Sequence, residues 1–321
     1  MKSKIIFLLL FISISCFGQE NKVLNVTLTK PGTILNYIDF NSIQEITDLT
    51  ISGIINKTDL EVIKKMEKLK LLNISNTTIQ YNKEALAEKI RGLDYSYMLA
   101  LNLVANMGKQ LSPKEKQKLK IELDSEILKV TKLYKSGGVF EESLFKEFGS
   151  LETIYLPKSI QVIEEEAFNN CKNLCKVIFP EYLISIGAKA FQNCNNLKEI
   201  YLSSNVKKIE YSAFENCIEL EKVIIKSNLQ EIDRNCFSGC TKLRELSIFG
   251  ALEISSSFTC GCDSLKAIYC FSKTPPKVAR YDYCSLGRDY IRKDIVFYFP
   301  KVSVTSYFVS EWADFFTIKA E

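Results

Sequence analysis

The sequence contains no histidine, although it is 321 residues long. Many nucleophilic and general-base mechanisms depend on an imidazole, so this absence excludes the Ser-His-Asp and Cys-His arrangements of many hydrolases. Two other signatures are also missing, the G-x-x-x-x-G-K-S/T loop that cradles phosphate and the G-x-S-x-G turn that presents a nucleophile. We therefore expect a protein that is not an enzyme and that has no catalytic residues and no cofactor.

The chain also lacks a strong excess of either charge, since 42 basic residues face 38 acidic ones and the formal net charge is +4. Proteins that bind nucleic acid concentrate positive charge, and this balance indicates no such partner. Beyond residue 20 there is no apolar run of the ~20 residues that a membrane-spanning helix needs. With 46% apolar residues the chain can bury a large core. We expect a folded protein without a transmembrane segment in its mature form.

The N-terminal residues have the pattern of a secretory signal. Two lysines precede an apolar run from Ile5 to Ile14, and small or polar residues follow it. We predict cleavage after Gly18, which makes residues 1–18 a signal peptide and the protein an exported one, secreted or displayed on the cell surface. Modification of Cys16 would instead give a lipoprotein, but Ser13 stands where a lipobox has an aliphatic residue.

An internal repeat dominates the rest of the chain. Leucines recur every 23 residues, and after 22 residues in the last unit, at Leu151, Leu174, Leu197, Leu220, Leu243 and Leu265. Each unit opens with spaced apolar residues, such as Leu151, Ile154 and Leu156, which is typical of a strand with one buried side. One unit cannot bury its own apolar side, whereas stacked units share a core, so the repeat predicts a solenoid with one strand per turn.

Phenylalanines and cysteines recur at fixed phases of this repeat. We predict that they form a buried structural ladder of Phe168, Phe191, Phe214, Phe237, Cys171, Cys194, Cys217 and Cys240. An exported chain with 11 cysteines also invites a disulfide framework or a redox or zinc site. The candidate pairs for such a site are Cys171/Cys175, Cys236/Cys240 and Cys260/Cys262. The periodic phase and the missing histidines favour buried thiols and no metal site. The number of disulfides among Cys175, Cys260, Cys270 and Cys284 stays open.

The units resemble the BspA-type leucine-rich repeats of bacterial surface proteins, whose form is L-x-x-I-x-L-P followed later by A-F-x-x-C. Three units match the second motif in full, at Ala167, Phe168 and Cys171, at Ala190, Phe191 and Cys194, and at Ala213, Phe214 and Cys217. The fourth unit has Cys236 in place of the alanine, and in the fifth Phe258 is shifted. Residues 46–79 are similar to the N-terminal unit of such proteins. Residues 296–318 are similar to their terminal unit, with landmarks at Pro300, Tyr307, Trp312, Phe315 and Ile318.

This resemblance implies a right-handed α/β leucine-rich-repeat solenoid with a 23-residue period, an N-terminal cap unit and an aromatic C-terminal cap. We divide the chain into the signal peptide, a cap unit at 19–80, a helical insertion at 81–136, the solenoid at 137–264, and a last repeat with its cap at 265–321. The insertion departs from the family pattern. Ser112, Pro113 and Glu115 form a capping box, and apolar residues then recur along one helix face. An αα-hairpin packed on the solenoid edge and a dedicated partner-binding lever are both compatible with this pattern.

Parallel strands in register align their outward residues into rows, and these rows are the candidate ligand-binding face. The predicted face consists of Thr153, Tyr155, Lys176, Ile178, Glu199, Tyr201, Lys222, Ile224, Glu245 and Tyr269. Amphipathic anchors beside alternating Lys and Glu have the composition of a recognition surface, although strands favour Tyr and Ile on any face.

Three functions follow from these features. The first is an adhesion-like module that binds a protein, or less readily a glycan, on a cell surface or in extracellular matrix, as the resemblance implies. The second is a scaffold of the cell envelope without a soluble ligand, docked through the insertion. The third is a hydrolase that uses paired carboxylates, for which the densest acidic cluster is Glu164, Glu165 and Glu166. We expect that cluster to be a solvated turn.

Overall fold

The computed structural model describes residues 21–38, 40–80, 83–106, 111–255, 257–279 and 292–320. The predicted signal peptide, Cys16 and Cys284 lie outside these residues. The N-terminal part runs through β1 (Lys22–Leu28), two 3-10 helices (Ile34–Asn36 and Phe40–Glu45), β2 (Ile46–Ile55), α1 (Lys57–Lys64) and β3 (Leu71–Ile79). Two long helices follow, α2 (Lys83–Asn106) and α3 (Pro113–Lys135).

The repeats supply most of the strands. In chain order they are β4 (Val139–Phe140), β5 (Thr153–Tyr155), β6 (Val162–Ile163), β7 (Lys176–Ile178), β8 (Ser185–Ile186), β9 (Glu199–Leu202), β10 (Lys208–Ile209), β11 (Lys222–Ile232), β12 (Glu245–Ser255), β13 (Ala267–Cys270) and β14 (Lys277–Ala279). The chain ends with β15 (Arg292–Phe299), a 3-10 helix (Lys301–Ser303), α4 (Val304–Phe308), α5 (Trp312–Phe315) and β16 (Phe316–Ala320).

Every strand pairing is parallel, and strands one repeat apart lie side by side. Thr153 pairs with Lys176, and Lys222 with Glu245, so the register follows the 23-residue period. This stack confirms the predicted solenoid. The prediction of one strand per turn is incomplete. In each regular turn, the segment that leads back to the next repeat contains a second strand of two residues. These short strands form a second ladder, β4-β6-β8-β10, which β11 and β12 join by running through both ladders.

A column of phenylalanine rings fills the core between the two ladders. The ring centroids are 4.9 Å apart from Phe140 to Phe168, 5.0 Å to Phe191, 5.2 Å to Phe214 and 5.6 Å to Phe237. Successive planes differ by 14° or less, and all five rings are fully buried. One repeat therefore adds one ring, and dispersion between stacked rings ties each turn to the next.

The cysteines run beside this column and are also fully buried. Each thiol donates to the main-chain oxygen of the phenylalanine in the preceding turn: Cys171 to Phe145 (3.0 Å), Cys194 to Phe168 (3.2 Å), Cys217 to Phe191 (3.3 Å), Cys240 to Phe214 (3.2 Å) and Cys262 to Phe237 (3.0 Å). Burial raises the pKa of the Cys171 thiol to about 12. A thiol held in this way is a small apolar core group and a poor nucleophile.

The turn that follows each phenylalanine needs a left-handed residue. Asn170, Asn193 and Asn216 have φ near 60°, a conformation that asparagine tolerates, and their amides form a ladder with N···O distances of 3.0 and 3.1 Å. Gly239 takes this position in the next unit, at φ 74°. A Cβ there would lie 2.3 Å from Oδ1 of Asn216, so glycine is the residue that fits.

The N-terminal cap unit is organised around the buried carboxylate of Asp59. It accepts hydrogen bonds from the main-chain N–H groups of Gly32 (2.6 Å), Ile34 (3.0 Å) and Asn56 (3.0 Å). Asn56 caps α1 in return by accepting from the Asp59 N–H. Three main-chain donors offset the cost of burying this charge, so one side chain fixes the helix start and the preceding loop.

The two long helices form a hairpin that contacts the solenoid at its base. Leu86 of α2 and Tyr134 of α3 pack with Val139 in a small second core. The Tyr134 hydroxyl donates to Glu164 (3.1 Å), and the Lys89 ammonium lies 2.9 Å from the same carboxylate. The expectation of a solvated acidic turn is therefore wrong for Glu164, whose side chain is only 10% exposed because the hairpin covers it.

Aromatic side chains close the C-terminal end of the core. Trp312 is fully buried, lies 5.1 Å from Phe297 between ring centroids, and donates its indole N–H to the oxygen of Pro276 (2.8 Å). Tyr307 stacks on Phe299 at 4.5 Å and donates to the oxygen of Ser272 (3.1 Å). These anchors hold the chain end against the last repeat, where an open core would otherwise meet water.

Candidate ligand-binding face

The first strands of the repeats place alternate side chains inward and outward. In β9, for example, Glu199 and Tyr201 are exposed while Ile200 and Leu202 are buried. Because neighbouring strands pair in register, the outward residues form rows that cross the strands. We call the surface made by these rows the first-strand face.

All ten residues predicted for the face lie on it, and none of them is buried. Lys176, Glu199 and Tyr201 are exposed, and Thr153, Tyr155, Ile178, Lys222, Ile224, Glu245 and Tyr269 are partly exposed. Ser247, which occupies the same row as the tyrosines, is only 8% exposed. The face thus presents large side chains on β9, β11, β13 and β15, interrupted at Ser247 of β12. Tyr155 and Ile178 stand on β5 and β7, and the pairings of the described residues do not join β7 to β9.

The charged row of the face is internally paired. The Lys222 ammonium lies 3.0 Å from the Glu245 carboxylate, and the Tyr201 hydroxyl donates to Glu199 at 2.9 Å. The hydrogen bond to Glu245 raises the pKa of Lys222, and the hydrogen bond to Glu199 raises the pKa of the Tyr201 hydroxyl. Lys176 and Lys222 alternate with Glu199 and Glu245 in this row, so their formal charges balance.

The structure adds residues that the sequence prediction missed. Tyr298 of β15 lies next to Tyr269 of β13, with ring centroids 5.0 Å apart and planes 10° apart. Two residues beyond the tyrosine row stand Phe249 and Phe271, which are 42% and 44% exposed and 4.7 Å apart. The sequence does contain a signal for these residues. The alternation of outward side chains continues two residues past Ser247 and Tyr269, and it recurs in β15.

These residues border an open groove of about 410 Å³. Its lining consists of Glu245, Ser247, Tyr269, Cys270, Phe271, Tyr298, Phe299 and Pro300. The groove crosses β12, β13 and β15, so it lies at the C-terminal end of the first-strand face. A volume of this size is in the range of pockets that hold small ligands or a few side chains of a larger one.

The described part of the chain has no cluster of metal-ligating side chains. Among these residues no three His, Cys, Asp or Glu side chains come together to hold a metal ion. Eight of the described cysteines carry free thiols, Cys171, Cys175, Cys194, Cys217, Cys236, Cys240, Cys262 and Cys270, whereas Cys260 is disulfide-bonded. No helix in the described ranges is both long and apolar enough to cross a bilayer.

A second exposed apolar surface lies on the helical hairpin, away from its base. Tyr95, Met98 and Leu99 of α2 are 70%, 53% and 46% exposed, and Ile121 and Leu128 of α3 are 62% and 70% exposed. Tyr95 and Leu99 are four residues apart and Ile121 and Leu128 are seven apart, so each pair shares one face of its helix. The molecule therefore offers two surfaces of different character, a concave aromatic one and a helical one.

Comparison with known proteins identifies the repeats. Residues 138–274 match, in six copies, the family described as BspA type leucine rich repeat region. No curated protein matches the sequence.

Several solved structures are similar to the chain. One is a leucine-rich repeat protein of T. pallidum (TpLRR), with 25% identity over 40% of this chain and 60% of that one and a TM-score of 0.37. Another is a leucine-rich repeat protein from Bacteroides ovatus, with 14% identity over 88% and 85% and a TM-score of 0.32. The pneumococcal vaccine antigen PcpA has 15% identity over 87% and 63% and a TM-score of 0.35. The chain spans less than two thirds of the T. pallidum and pneumococcal proteins.

Proposed function

Since residues 138–274 belong to the BspA-type leucine-rich repeat family, we propose that this protein is an exported binding module whose first-strand face holds a protein ligand. The observation that carries the proposal is the row of outward tyrosines, Tyr155, Tyr201, Tyr269 and Tyr298, which ends in an aromatic groove. Tyrosine gives a large contact area with few rotatable bonds and a polar end, which is why it is enriched in protein interfaces.

Export rests on the sequence of residues 1–18. A secreted or surface-displayed location fits a face built for contact with another cell, with extracellular matrix, or less readily with a glycan.

The test is a pull-down from envelope and extracellular-matrix extracts with the mature chain as bait. A variant with Tyr155→Ser, Tyr201→Ser and Tyr269→Ser removes three anchors from the face. The matched control carries Tyr37→Ser and Tyr182→Ser, which change exposed tyrosines outside the first strands, 38% and 63% exposed. We expect specific capture by the parent and the control and its loss in the triple variant. Equal capture by all three proteins would refute a strand-face site.

The exposed apolar residues of the hairpin support a second candidate, a scaffold of the cell envelope that docks through α2 and α3. Here the prediction is that capture survives the triple substitution and disappears when residues 83–135 are deleted. The deletion removes both helices and leaves the strands of the solenoid in place. No capture by any form of the protein would count against both candidates.

A further inference from the structure

The outward side of α3 carries four lysines around two aliphatic side chains. The inward side of this helix has apolar residues every three or four positions, all buried or partly buried: Leu119, Leu123, Ile127, Val130 and Tyr134. The same spacing on the opposite side gives seven residues, all of them exposed: Lys114, Lys118, Ile121, Ser125, Leu128, Lys132 and Lys135. We call these seven residues the lysine stripe.

The positive charge of α3 is concentrated on this stripe. Seven lysines and four carboxylates give the helix a formal charge of +3, whereas the whole chain has only +4. The stripe holds four of these lysines and none of the carboxylates. Outside it, Lys120 pairs with Asp124 (3.3 Å) and Lys129 with Glu126 (2.6 Å). The stripe is therefore a surface of one sign on a helix whose other charges nearly cancel.

The middle of the stripe is apolar. Ile121 and Leu128 are 62% and 70% exposed, and two lysines lie beyond each of them along the helix. At a rise of 1.5 Å per residue, the stripe is a straight row about 30 Å long. Such a row matches the flat boundary between the headgroups and acyl chains of a bilayer, where aliphatic side chains enter the apolar layer and lysines stay among the phosphates.

A second copy of the stripe is disfavoured as the partner by the same charges. Two stripes that run in the same direction place each lysine opposite its own counterpart. In opposite directions, Lys114 of one copy faces Lys135 of the other, and Lys118 faces Lys132. Like charges in such positions destabilise a helix pair. The complementary surface has to be negatively charged.

We propose that the lysine stripe docks the protein on the surface of a membrane that contains anionic phospholipids, with Ile121 and Leu128 entering the interface. Anionic headgroups attract helices that carry four or more clustered lysines, and each lysine favours binding about fivefold. This docking adds a site of retention to the proposed binding function. It uses none of the residues of the first-strand face, so the two proposals stand or fall separately.

The experiment measures sedimentation of the full mature protein with lipid vesicles. One set of vesicles contains equal parts of phosphatidylglycerol and phosphatidylcholine, and the other contains phosphatidylcholine alone. We expect saturable binding to the first set and none to the second. Binding should weaken at least about tenfold when the salt concentration rises from about 0.1 M to about 0.5 M, because salt screens the attraction between lysine and phosphate.

Paired substitutions in α3 test the charge of the stripe. Lys114→Gln with Lys118→Gln removes two stripe lysines near the start of the helix, where positive charge opposes the helix dipole, so the helix is not weakened. We expect binding to weaken about 25-fold. The matched control, Lys116→Gln with Lys120→Gln, makes the same change of charge in the same turns but off the stripe. It should weaken binding less than about threefold, since those lysines point away from the membrane.

A second pair of variants tests the apolar contact. Ile121→Ser with Leu128→Ser should weaken binding at least about tenfold, because two aliphatic side chains no longer leave water. Tyr95→Ser with Leu99→Ser changes exposed residues of α2, which lie off the stripe, and should bind like the parent.

Three results would overturn the inference. They are equal binding to both sets of vesicles, equal losses in the charge variant and its matched control, and binding of soluble polyglutamate without binding of vesicles, which would assign the stripe to an acidic protein. The variant with Tyr155→Ser, Tyr201→Ser and Tyr269→Ser should bind vesicles like the parent. A failure of the strand-face proposal is thereby distinguished from a failure of membrane docking.

Discussion

The same positions of the repeat are buried in the regular turns before residue 220 and in the turns after it, but the strands differ in length. In a regular turn such as that of β5 and β6, a three-residue strand and a two-residue strand are separate. In β11 and β12 a single strand of 11 residues runs through both ladders. Pro157 and Pro180 stand at the junction in the first two regular turns and end the strand, since proline has no N–H to donate.

The later turns have other residues at that junction. Lys226 stands there in β11 and Phe249 in β12, and Phe271 follows β13 at the same phase. Phe271 and Ser247 line the groove together with Pro300, which stands at the same phase after β15. The repeat thus determines the core of every turn, whereas the departures from the repeat determine the surface that can bind.

The largest effect should come from a substitution inside a regular turn. Phe191→Ala removes a ring stacked on two neighbours, at 5.0 and 5.2 Å, and leaves a cavity in the middle of the column. We expect a loss of about 4 kcal/mol in the free energy of unfolding, measured by urea denaturation. Phe271→Ala removes a ring that is 44% exposed and should cost less than about 1 kcal/mol. Equal losses would show that the column is not what holds the regular turns together.

The reactivities of Cys171 and Cys175 compare a buried thiol with a partly exposed one in the same regular turn. A pKa of about 12 for Cys171, against 9.0 for an unperturbed thiol, lowers its thiolate fraction about a thousandfold at pH 8. Cys175 lies four residues on and is partly exposed. We expect iodoacetamide to modify Cys175 in the native protein and to reach Cys171 only after unfolding, as followed by peptide mass spectrometry. Modification of both at similar rates would mean that the regular turns open readily.

A smaller loss of stability is expected at Gly239, which has the left-handed backbone conformation in the turn near the boundary between the two regions. Gly239→Ala places a Cβ against Asn216 at positive φ and should cost about 2 kcal/mol. Gly149→Ala is the matched control, because its Cβ would meet nothing closer than 4.0 Å, and we expect no loss. Thermal unfolding of both variants measures the difference. A control as unstable as Gly239→Ala would remove the steric explanation.

The smallest effect concerns the acidic turn under the hairpin. Burial, and then the carboxylates of Glu165 and Glu164, raise the pKa of Glu142 above 4.5, so its charged form costs stability at neutral pH. Glu142→Gln should therefore stabilise the protein by a few tenths of a kcal/mol at pH 7, since exposure to solvent screens most of the repulsion. The gain should vanish as the pH falls through the raised pKa, because Glu142 of the parent protein is then also neutral. Urea denaturation at pH 7 and pH 4 checks this, and a gain that grows in acid would contradict it.

The sequence predicts the core well because the core is periodic. Leucine, isoleucine, phenylalanine and cysteine recur at fixed inward positions of the repeat, and this recurrence is enough to place Phe168 and Cys171 in the interior. The second ladder is not visible in the sequence, since strands of two residues such as Val162–Ile163 form only when the turns stack. Pairing across repeats is a tertiary effect that no local pattern contains.

The site is predicted less completely, for a related reason. The outward row follows from strand alternation as far as Tyr269, but Tyr298 joins it only because β15 pairs with β13. The solvated state expected for Glu164 fails because α2 and α3 fold back over it, a contact between residues 75 positions apart at Lys89. Packing between distant segments decides both outcomes.

The groove spans three consecutive turns at one end of a stack in which each turn contacts only its neighbours. Such a stack unravels from its ends, so the force that it resists is set by the weakest terminal interface. A ligand bound across β12, β13 and β15 would hold that interface together, and the interface would be loaded in shear when the ligand is pulled along the stack. The force needed to remove the ligand and the force needed to unfold the protein from that end would then increase together.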